Sequence, residues 1–150
     1  MKLQRASQLA LFALLELAKA PDQQLSVAEI GGRYGVSTHH LAKVMHALGR
    51  ANLVRAMRGV GGGYQFSGNA KRTTLLDVVQ LFGDFLDTPE PVAANKARAE
   101  VEALRDVVKE IDDVTRATLG SITLSTMLNL IERRRQRDPT QDAAKAILSV

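Results

Sequence analysis

The side chains best suited to chemistry lie in one short stretch, residues 37–64. It opens with Ser-Thr-His-His-Leu-Ala-Lys and closes with Arg-Gly-Val-Gly-Gly-Gly-Tyr. Hydroxyl and cationic side chains on a helix can hydrogen-bond to the base edges and phosphates of duplex DNA. An arginine at the base of a narrow glycine-rich hairpin can enter a minor groove. The stretch therefore predicts a DNA-reading helix followed by a β-wing.

Apolar spacing places the recognition helix over about residues 38–50. Residues 35–37 precede it as a turn, in which Gly35 supplies backbone freedom and Ser37 is expected to cap the helix. A short helix, a glycine turn and a second helix make a helix-turn-helix. The inner face of the recognition helix is predicted from positions i, i+3, i+4 and i+7, which are Leu41, Val44, Met45 and Leu48.

Candidate DNA contacts fall into three groups. The outward N-terminal part of the helix should reach bases or phosphates, and the wing should contact the backbone or the minor groove. Other basic residues are weaker candidates that would hold a phosphate or only keep the surface polar. The three groups are Ser37, Thr38, His39 and Lys43 on the helix, Arg58, Gly59 and Gly61 on the wing, and Lys2, Arg5, Arg50 and Arg55 among the weaker candidates.

The sequence gives little support for a metal site or for a catalytic site. The three histidines, His39, His40 and His46, lack the i, i+4 spacing of helical metal ligands. The wing glycines match neither a dinucleotide fingerprint nor a P-loop. The acidic residues at 84, 87 and 90 have no basic or aromatic partner for acid–base work. The chain has no cysteine, which excludes disulfides and thiolate-held zinc or iron–sulfur clusters. We expect no cofactor and no enzymatic activity.

The remaining elements are expected to position this unit. Periodicity predicts a helix over about residues 4–20, stopped by Pro21. Ser26 and Glu29 form a capping box for a short second helix, whose Gly31-Gly32 pair suggests close packing on its neighbours. Two short strands are predicted at 53–58 and 64–67. Thr74 begins a nearly all-apolar fourth helix.

The second half of the chain predicts an oligomerisation element. A long helix over about 97–118, broken at Gly120, is followed by another at about 122–136. The domain division is a winged helix-turn-helix at 1–83, a loop at 84–96, dimerisation helices at 97–138 and a tail at 139–150. A heptad-like seam steps 3-4-3 along the long helix. Its four residues are Val101, Leu104, Val108 and Ile111, with Val107 and Val114 beside them.

Charge and composition agree with this division. Residues 1–72 carry a formal charge of +7 and residues 73–150 carry −3, within a net charge of +4. A basic half joined to an acidic half is typical of a polyanion-binding module attached to a non-binding one. Aromatic residues are only 4%, and no apolar run could span a bilayer. We expect a mainly α fold with a small β-hairpin, in the cytoplasm and without membrane contact.

Several of these segments resemble a known family, the IscR and NsrR type of winged-helix regulators that respond to iron–sulfur clusters or nitric oxide. The matching segments are Ala-Glu-Ile-Gly-Gly-Arg-Tyr-Gly-Val-Ser at 28–37, His-Leu-Ala-Lys-Val-Met-His-Ala-Leu at 40–48 and Arg-Gly-Val-Gly-Gly-Gly-Tyr at 58–64. Segments 74–79 and 122–128 match the later helices. The resemblance covers about residues 1–132.

The resemblance implies a homodimer joined through the long helix, with two winged helices on a palindromic operator, acting as a repressor. It assigns DNA contact to Ser37, His39, Lys43 and Arg58. Ala42 stands where a family member has an acidic base-reading residue, so operator preference should differ. The family's cluster is held by three cysteines between the fourth helix and the dimer helix, where residues 83–98 of this chain have none. A cluster held in that way is excluded, and a protein or small-molecule effector would replace it.

One alternative from another functional class stays open. The winged helix could be a protein-interaction module that does not bind DNA, with the acidic C-terminal half docking a partner. The charge of +7 on the first half disfavours this alternative, because it fits a polyanion better than a protein surface of mixed charge.

Overall fold

The computed structural model describes residues 3–59, 61–84 and 97–138, together with residue 147. Lys2, most of the predicted loop (85–96) and almost all of the predicted tail lie outside the described residues. The helices and strands are α1 (Arg5–Lys19), α2 (Val27–Tyr34), α3 (Thr38–Arg50), β1 (Val54–Met57), β2 (Gly63–Phe66), α4 (Leu75–Val79), α5 (Arg98–Ser121) and α6 (Leu124–Arg137). A single 3-10 turn, Gln80–Phe82, follows α4.

Helix α1 is the centre of the core. Its apolar residues recur on most of its circumference, and Leu14 and Leu17 are completely buried. The helix ends at Lys19, just before Pro21, whose ring cannot continue a helix. Helices α3, α4 and α6 and strand β2 all pack against it. One buried helix therefore fixes the positions of both the DNA-reading unit and the C-terminal part.

The helix-turn-helix forms as the capping signals predict. The Ser26 hydroxyl accepts a hydrogen bond from the Glu29 amide at 3.1 Å, and the Glu29 carboxylate accepts one from the Ser26 amide at 2.7 Å. Gly35 ends α2 in the left-handed conformation, with φ 62°, which a residue with a Cβ adopts only with strain. Ser37 occupies the N-cap position of α3, but its side chain makes no capping hydrogen bond. That detail of the prediction is wrong.

The wing is an antiparallel hairpin in which Val54 pairs with Phe66 and Met57 with Gly63. Leu25 forms an isolated antiparallel bridge to the outer edge of β2, which the sequence did not predict. Its amide donates to the Tyr64 carbonyl at 2.9 Å, and the Tyr64 amide donates to the Leu25 carbonyl at 2.8 Å. These two bonds tie the hairpin to the segment before α2. A Cβ on Gly63 would lie 2.6 Å from the Leu25 carbonyl oxygen, so this approach requires glycine.

The C-terminal helices flank this unit. Helix α4 packs on both α1 and α5, and α6 packs on α1, with Leu124 at its start fully buried. Gly120 was predicted to break α5, but the helix continues through Ser121. The mainly α architecture with one small hairpin is confirmed. No helix in the described part of the chain is long and apolar enough to cross a membrane.

Candidate nucleic-acid interface

A polar cluster between α1 and α2 fixes the orientation of the helix-turn-helix. The Glu16 carboxylate accepts a hydrogen bond from the Tyr34 hydroxyl at 2.8 Å and pairs with the guanidinium of Arg33 and, at 3.1 Å, with the ammonium of Lys19. The Tyr34 ring stacks on Phe12, with ring centroids 4.8 Å apart. Both partners from α2 lie in its last turn, next to the turn into α3. The cluster therefore fixes the point from which α3 begins.

The electrostatics of this cluster favour the ionised carboxylate. Partial burial alone would raise the pKa of Glu16, but hydrogen bonds from Tyr34 and Lys19 and the positive charge of Lys19 outweigh it, so this pKa is lowered. Burial and the hydrogen bond to Glu16 raise the pKa of Tyr34. At neutral pH the tyrosine is therefore protonated and donates to the ionised carboxylate.

Helix α3 presents one continuous basic stripe to solvent. Its inner residues, predicted from spacing, are all buried. Positions 39, 43, 46 and 50 follow each other at steps of four, three and four residues, so they lie on one face, opposite the buried one. We call this face the α3 stripe, and its four residues are all exposed: His39, Lys43, His46 and Arg50.

The stretch of sequence that contains the α3 stripe and the wing has no acidic residue. Between Glu29 and Asp77 the chain has no Asp or Glu, although it has seven Lys or Arg residues there. Elsewhere the described cations are commonly paired: Lys19 with Glu16, Arg98 with Glu102, and Lys109 with Asp113. In the described residues, no carboxylate forms a salt bridge to a Lys or Arg of the α3 stripe or the wing. The positive potential of this face is thus uncompensated, which suits a polyanion.

The wing places Arg58 directly after β1. Gly59 and Gly61 adopt φ values of 134° and 83°, and the Gly62 amide donates to the Gly59 carbonyl at 3.0 Å. This closes a tight turn just beyond the exposed Arg58. Strand β1 packs against α3, so the hairpin that carries Arg58 stands beside the α3 stripe.

The structure brings some of the predicted contact residues together and leaves others apart. His39, Lys43 and Arg50 share the α3 stripe, and Ser37 and Thr38 are exposed at its N-terminal end. Arg5 begins α1 elsewhere, since the preceding Gln4 lies against Gly83 after the 3-10 turn. The spacing also predicts that His46 lies on the outward side of α3, but the sequence analysis weighed this residue as a metal ligand and did not name it among the DNA contacts. Sequence reasoning also overlooked the acid-free span, which is visible in the sequence.

A second surface of interest is apolar and lies on α5. Val101 and Val108 of the predicted seam are half-buried, whereas the other two seam residues are exposed. Together with two further valines they form an exposed stripe stepping 3-4-3, which we call the α5 stripe. Its residues and exposed fractions are Leu104 55%, Val107 54%, Ile111 51% and Val114 62%.

The donor set for a metal is poor. The chain has no thiolate, and the described ranges contain no group of three His, Asp or Glu side chains that could hold an ion. The exposed histidines of α3 therefore have no acidic partners with which to form a first coordination shell.

Comparison with known proteins agrees with this geometry. The model of the Rrf2 family, described as iron-dependent transcriptional regulators, matches residues 3–130. The chain is 43% identical over 149 residues to a Rhodopseudomonas palustris protein assigned as the HTH-type transcriptional regulator BadM, covering 97% of this chain and 94% of that protein.

Two solved structures are also similar. CymR of B. subtilis, titled the global cysteine regulator of that organism, has 25% identity and a TM-score of 0.69 over 87% of this chain and 98% of that one. IscR of T. potens, at 24% identity, has a TM-score of 0.67 over 90% of this chain and 91% of that one, and it supports the fold alone. From the family match and the BadM relative, we conclude that the chain belongs to the Rrf2 family of transcriptional regulators.

Proposed function

We propose that this regulator is a homodimer that binds a palindromic operator sequence-specifically and represses transcription, without an iron–sulfur cluster. The observation that carries the proposal is the α3 stripe, an exposed cationic face within an acid-free span, with Arg58 on the adjacent wing. A helix of this size fits the major groove, where each base pair shows a distinct hydrogen-bonding pattern. The wing would reach the neighbouring minor groove.

The residues are assigned as follows. Thr38, His39 and Lys43 lie in the N-terminal half of α3, the part that reaches base edges in helix-turn-helix proteins. Ser37, whose side chain does not cap the helix, leaves the first α3 amides available to a phosphate. Arg58 enters the minor groove beside the turn glycines Gly59 and Gly61. Arg50, Arg5 and Lys2 remain candidates for phosphate contacts.

The α5 stripe supports the dimer. The stripe lies on a 24-residue helix. In a monomer its large apolar side chains would be exposed to water, which is unfavourable in free energy. Pairing with the same stripe of a second copy buries them in a coiled-coil-like seam. Two copies related by a two-fold axis would then bind half-sites about 10 bp apart or a multiple of that distance. Because α4 contacts both α1 and α5, the seam would be connected to the DNA-reading unit.

The iron named in the family description does not fit this chain in the form of a thiolate-held cluster. The chain contains no cysteine, and such clusters need thiolate or, in part, imidazole ligands. We therefore propose regulation by a protein or small-molecule effector instead.

The experiment that tests the proposal is selection of duplexes from a random-sequence pool by the purified chain. We expect an enriched palindromic motif. Lys43→Ala and Arg58→Ala should each weaken binding to it about tenfold, because a charge-assisted hydrogen bond contributes about 1.5 kcal/mol or more. Lys109→Ala, which removes a cation from α5, is the matched control and should bind like the unchanged protein.

Two outcomes would contradict the proposal. If no motif is enriched while an immobilised chain retains a specific protein partner, the winged helix is an interaction module. If a motif is enriched but neither Lys43→Ala nor Arg58→Ala weakens binding, the chain binds DNA through another surface.

A further inference from the structure

An open cleft lies between the second half of α3 and the hairpin. Its volume is about 580 Å³. Its lining combines apolar side chains with polar and cationic groups, and includes Met45, His46, Arg50, Asn52, Arg55 and Tyr64. None of the DNA contacts assigned above, except the candidate Arg50, lies in this cleft.

The proposed mode of DNA binding determines what must cross this cleft. If α3 occupies a major groove and the wing occupies the adjacent minor groove, one sugar–phosphate strand separates the two grooves. That strand must pass between α3 and the hairpin. The cleft is the space between these two elements. In this binding mode the phosphodiester backbone of one DNA strand would therefore lie in the cleft.

The Arg55 side chain is held in one conformation by the fold and could bind a phosphate of the DNA backbone. Its guanidinium donates from Nε and Nη2 to the Oε1 atom of Gln65, at 3.3 and 2.9 Å. The two residues are directly opposite each other in the hairpin register. One edge of the guanidinium is held by Gln65, which leaves Nη1 available to an external acceptor. Holding the side chain in advance reduces the entropy lost when a ligand binds.

The charge of the cleft favours the same occupant. Within the described residues Arg55 makes no ion pair with a carboxylate. Arg33, by contrast, is paired with Glu16 within the fold. The Gln65 amide orients Arg55 without neutralising it, whereas a glutamate at this position would cancel the charge.

We propose that this cleft seats the sugar–phosphate strand between the two grooves, with Arg55 binding a phosphate and Gln65 acting as its positioning residue. The inference rests on the proposed function and adds a phosphate contact that the sequence treated only as a weak candidate. It distinguishes two roles: Arg55 supplies the charge, and Gln65 supplies the geometry.

The test compares binding to the selected duplex and to a scrambled duplex of the same length, between about 50 and 200 mM salt. Arg55→Ala should weaken binding to both duplexes by a similar factor, about tenfold, and should reduce the slope of log K against log salt by about 0.9 for each subunit bound. Gln65→Ala should weaken both about threefold through lost preorganisation and leave the slope unchanged, because the charge remains.

A double variant separates positioning from a structural role. If Gln65 acts only through Arg55, Gln65→Ala should cause no further loss in the Arg55→Ala background. Lys109→Ala serves as the control for removing a cation, and unchanged thermal unfolding of each variant verifies the fold.

The outcomes distinguish this inference from the proposed function. If Lys43→Ala and Arg58→Ala reduce binding but Arg55→Ala leaves affinity and salt slope unchanged, the cleft does not hold the strand and the proposed function stands. If Gln65→Ala weakens binding equally with and without Arg55, its positioning role is wrong. If the unchanged protein shows neither preference nor salt dependence, the proposed function itself fails.

Discussion

The Glu16 side chain on α1 joins this helix to the end of α2. This side chain is only 13% exposed, and it accepts from or pairs with Tyr34, Arg33 and Lys19. A largely buried carboxylate is tolerated because its partners are cationic or donate hydrogen bonds. Sequence reasoning did not predict this cluster, because its residues are 17 and 18 positions apart and no local pattern joins them.

The lowered pKa of Glu16 makes stability depend on pH. The unfolded carboxyl takes up its proton near its ordinary value of 4.5, and the folded one only at lower pH. As pH falls through this window the unfolded chain binds more protons, so stability is lost there and is fully present above it. Glu16→Gln should lower the free energy of unfolding at neutral pH by about 1 to 2 kcal/mol.

Urea unfolding between neutral pH and pH about 3.5 would check this, since the window lies below the ordinary carboxyl value. The curves of the variant and the unchanged chain should converge toward the acid end. Glu110→Gln, an exposed carboxylate on α5, is the control and should follow the unchanged chain. Parallel curves for Glu16→Gln would show that the carboxylate is not responsible for the acid sensitivity.

At the scale of elements, local signals predicted most of the fold. The capping pairs Ser26–Glu29 and Thr74–Asp77 begin α2 and α4 as expected, and α3 has the predicted bounds. Features that depend on contacts distant in sequence were missed. Leu25 pairs with Tyr64 across 39 positions, and Gly120 continues α5 although glycine disfavours helix. The candidate DNA contacts on α3 could be predicted from the spacing of its residues. The cleft and the Arg55–Gln65 pair could not, because they depend on how the hairpin packs beside α3 and on the strand register.

The glycine pair in α2 gives an internal comparison at this scale. A Cβ at Gly31 would lie 3.0 Å from the carbonyl oxygen of Val36, whereas a Cβ at Gly32 would meet nothing within 4 Å. Gly32→Ala should raise the free energy of unfolding by about 0.5 to 1 kcal/mol, because alanine loses less backbone entropy in a helix.

Gly31→Ala gains the same helix propensity, but its Cβ would push against the turn between α2 and α3 at Val36. The Val36 amide donates to the Gly31 carbonyl at 3.0 Å, which holds the opposing oxygen in place. We expect a loss of about 1 kcal/mol relative to the unchanged chain, in line with overpacking of a close contact. Thermal unfolding of the two variants side by side checks the prediction, and equal stabilisation by both would show that the turn is not tightly packed.

At the scale of the whole molecule, the chain separates a cationic face from an apolar one. The α3 stripe and wing carry uncompensated positive charge, and the α5 stripe exposes large aliphatic side chains. Helix α4 contacts both α1 and α5. The charge asymmetry of the sequence is in line with this division. The exposed apolar stripe on α5 differs from the predicted seam, because it contains Val107 and Val114 in place of Val101 and Val108.

The α5 stripe predicts the oligomeric state. Ile111→Asp would place a carboxylate in the centre of the proposed seam, where burial without a partner is costly, and we expect a monomer by sedimentation equilibrium. Lys109→Asp introduces the same side chain on the opposite side of α5 and should leave the dimer intact. A dimer that survives Ile111→Asp would show that the copies associate through another surface.

The most direct test of the account is the affinity of the unchanged chain for its selected duplex and for a scrambled duplex, each measured across a range of salt concentrations. We expect the selected duplex to be bound at least about 10³-fold more tightly. We also expect both affinities to fall steeply as salt rises, because phosphate contacts release counterions. Equal affinity for the two duplexes, or binding that does not change with salt, would contradict the assignment of the α3 stripe and wing as a sequence-reading surface.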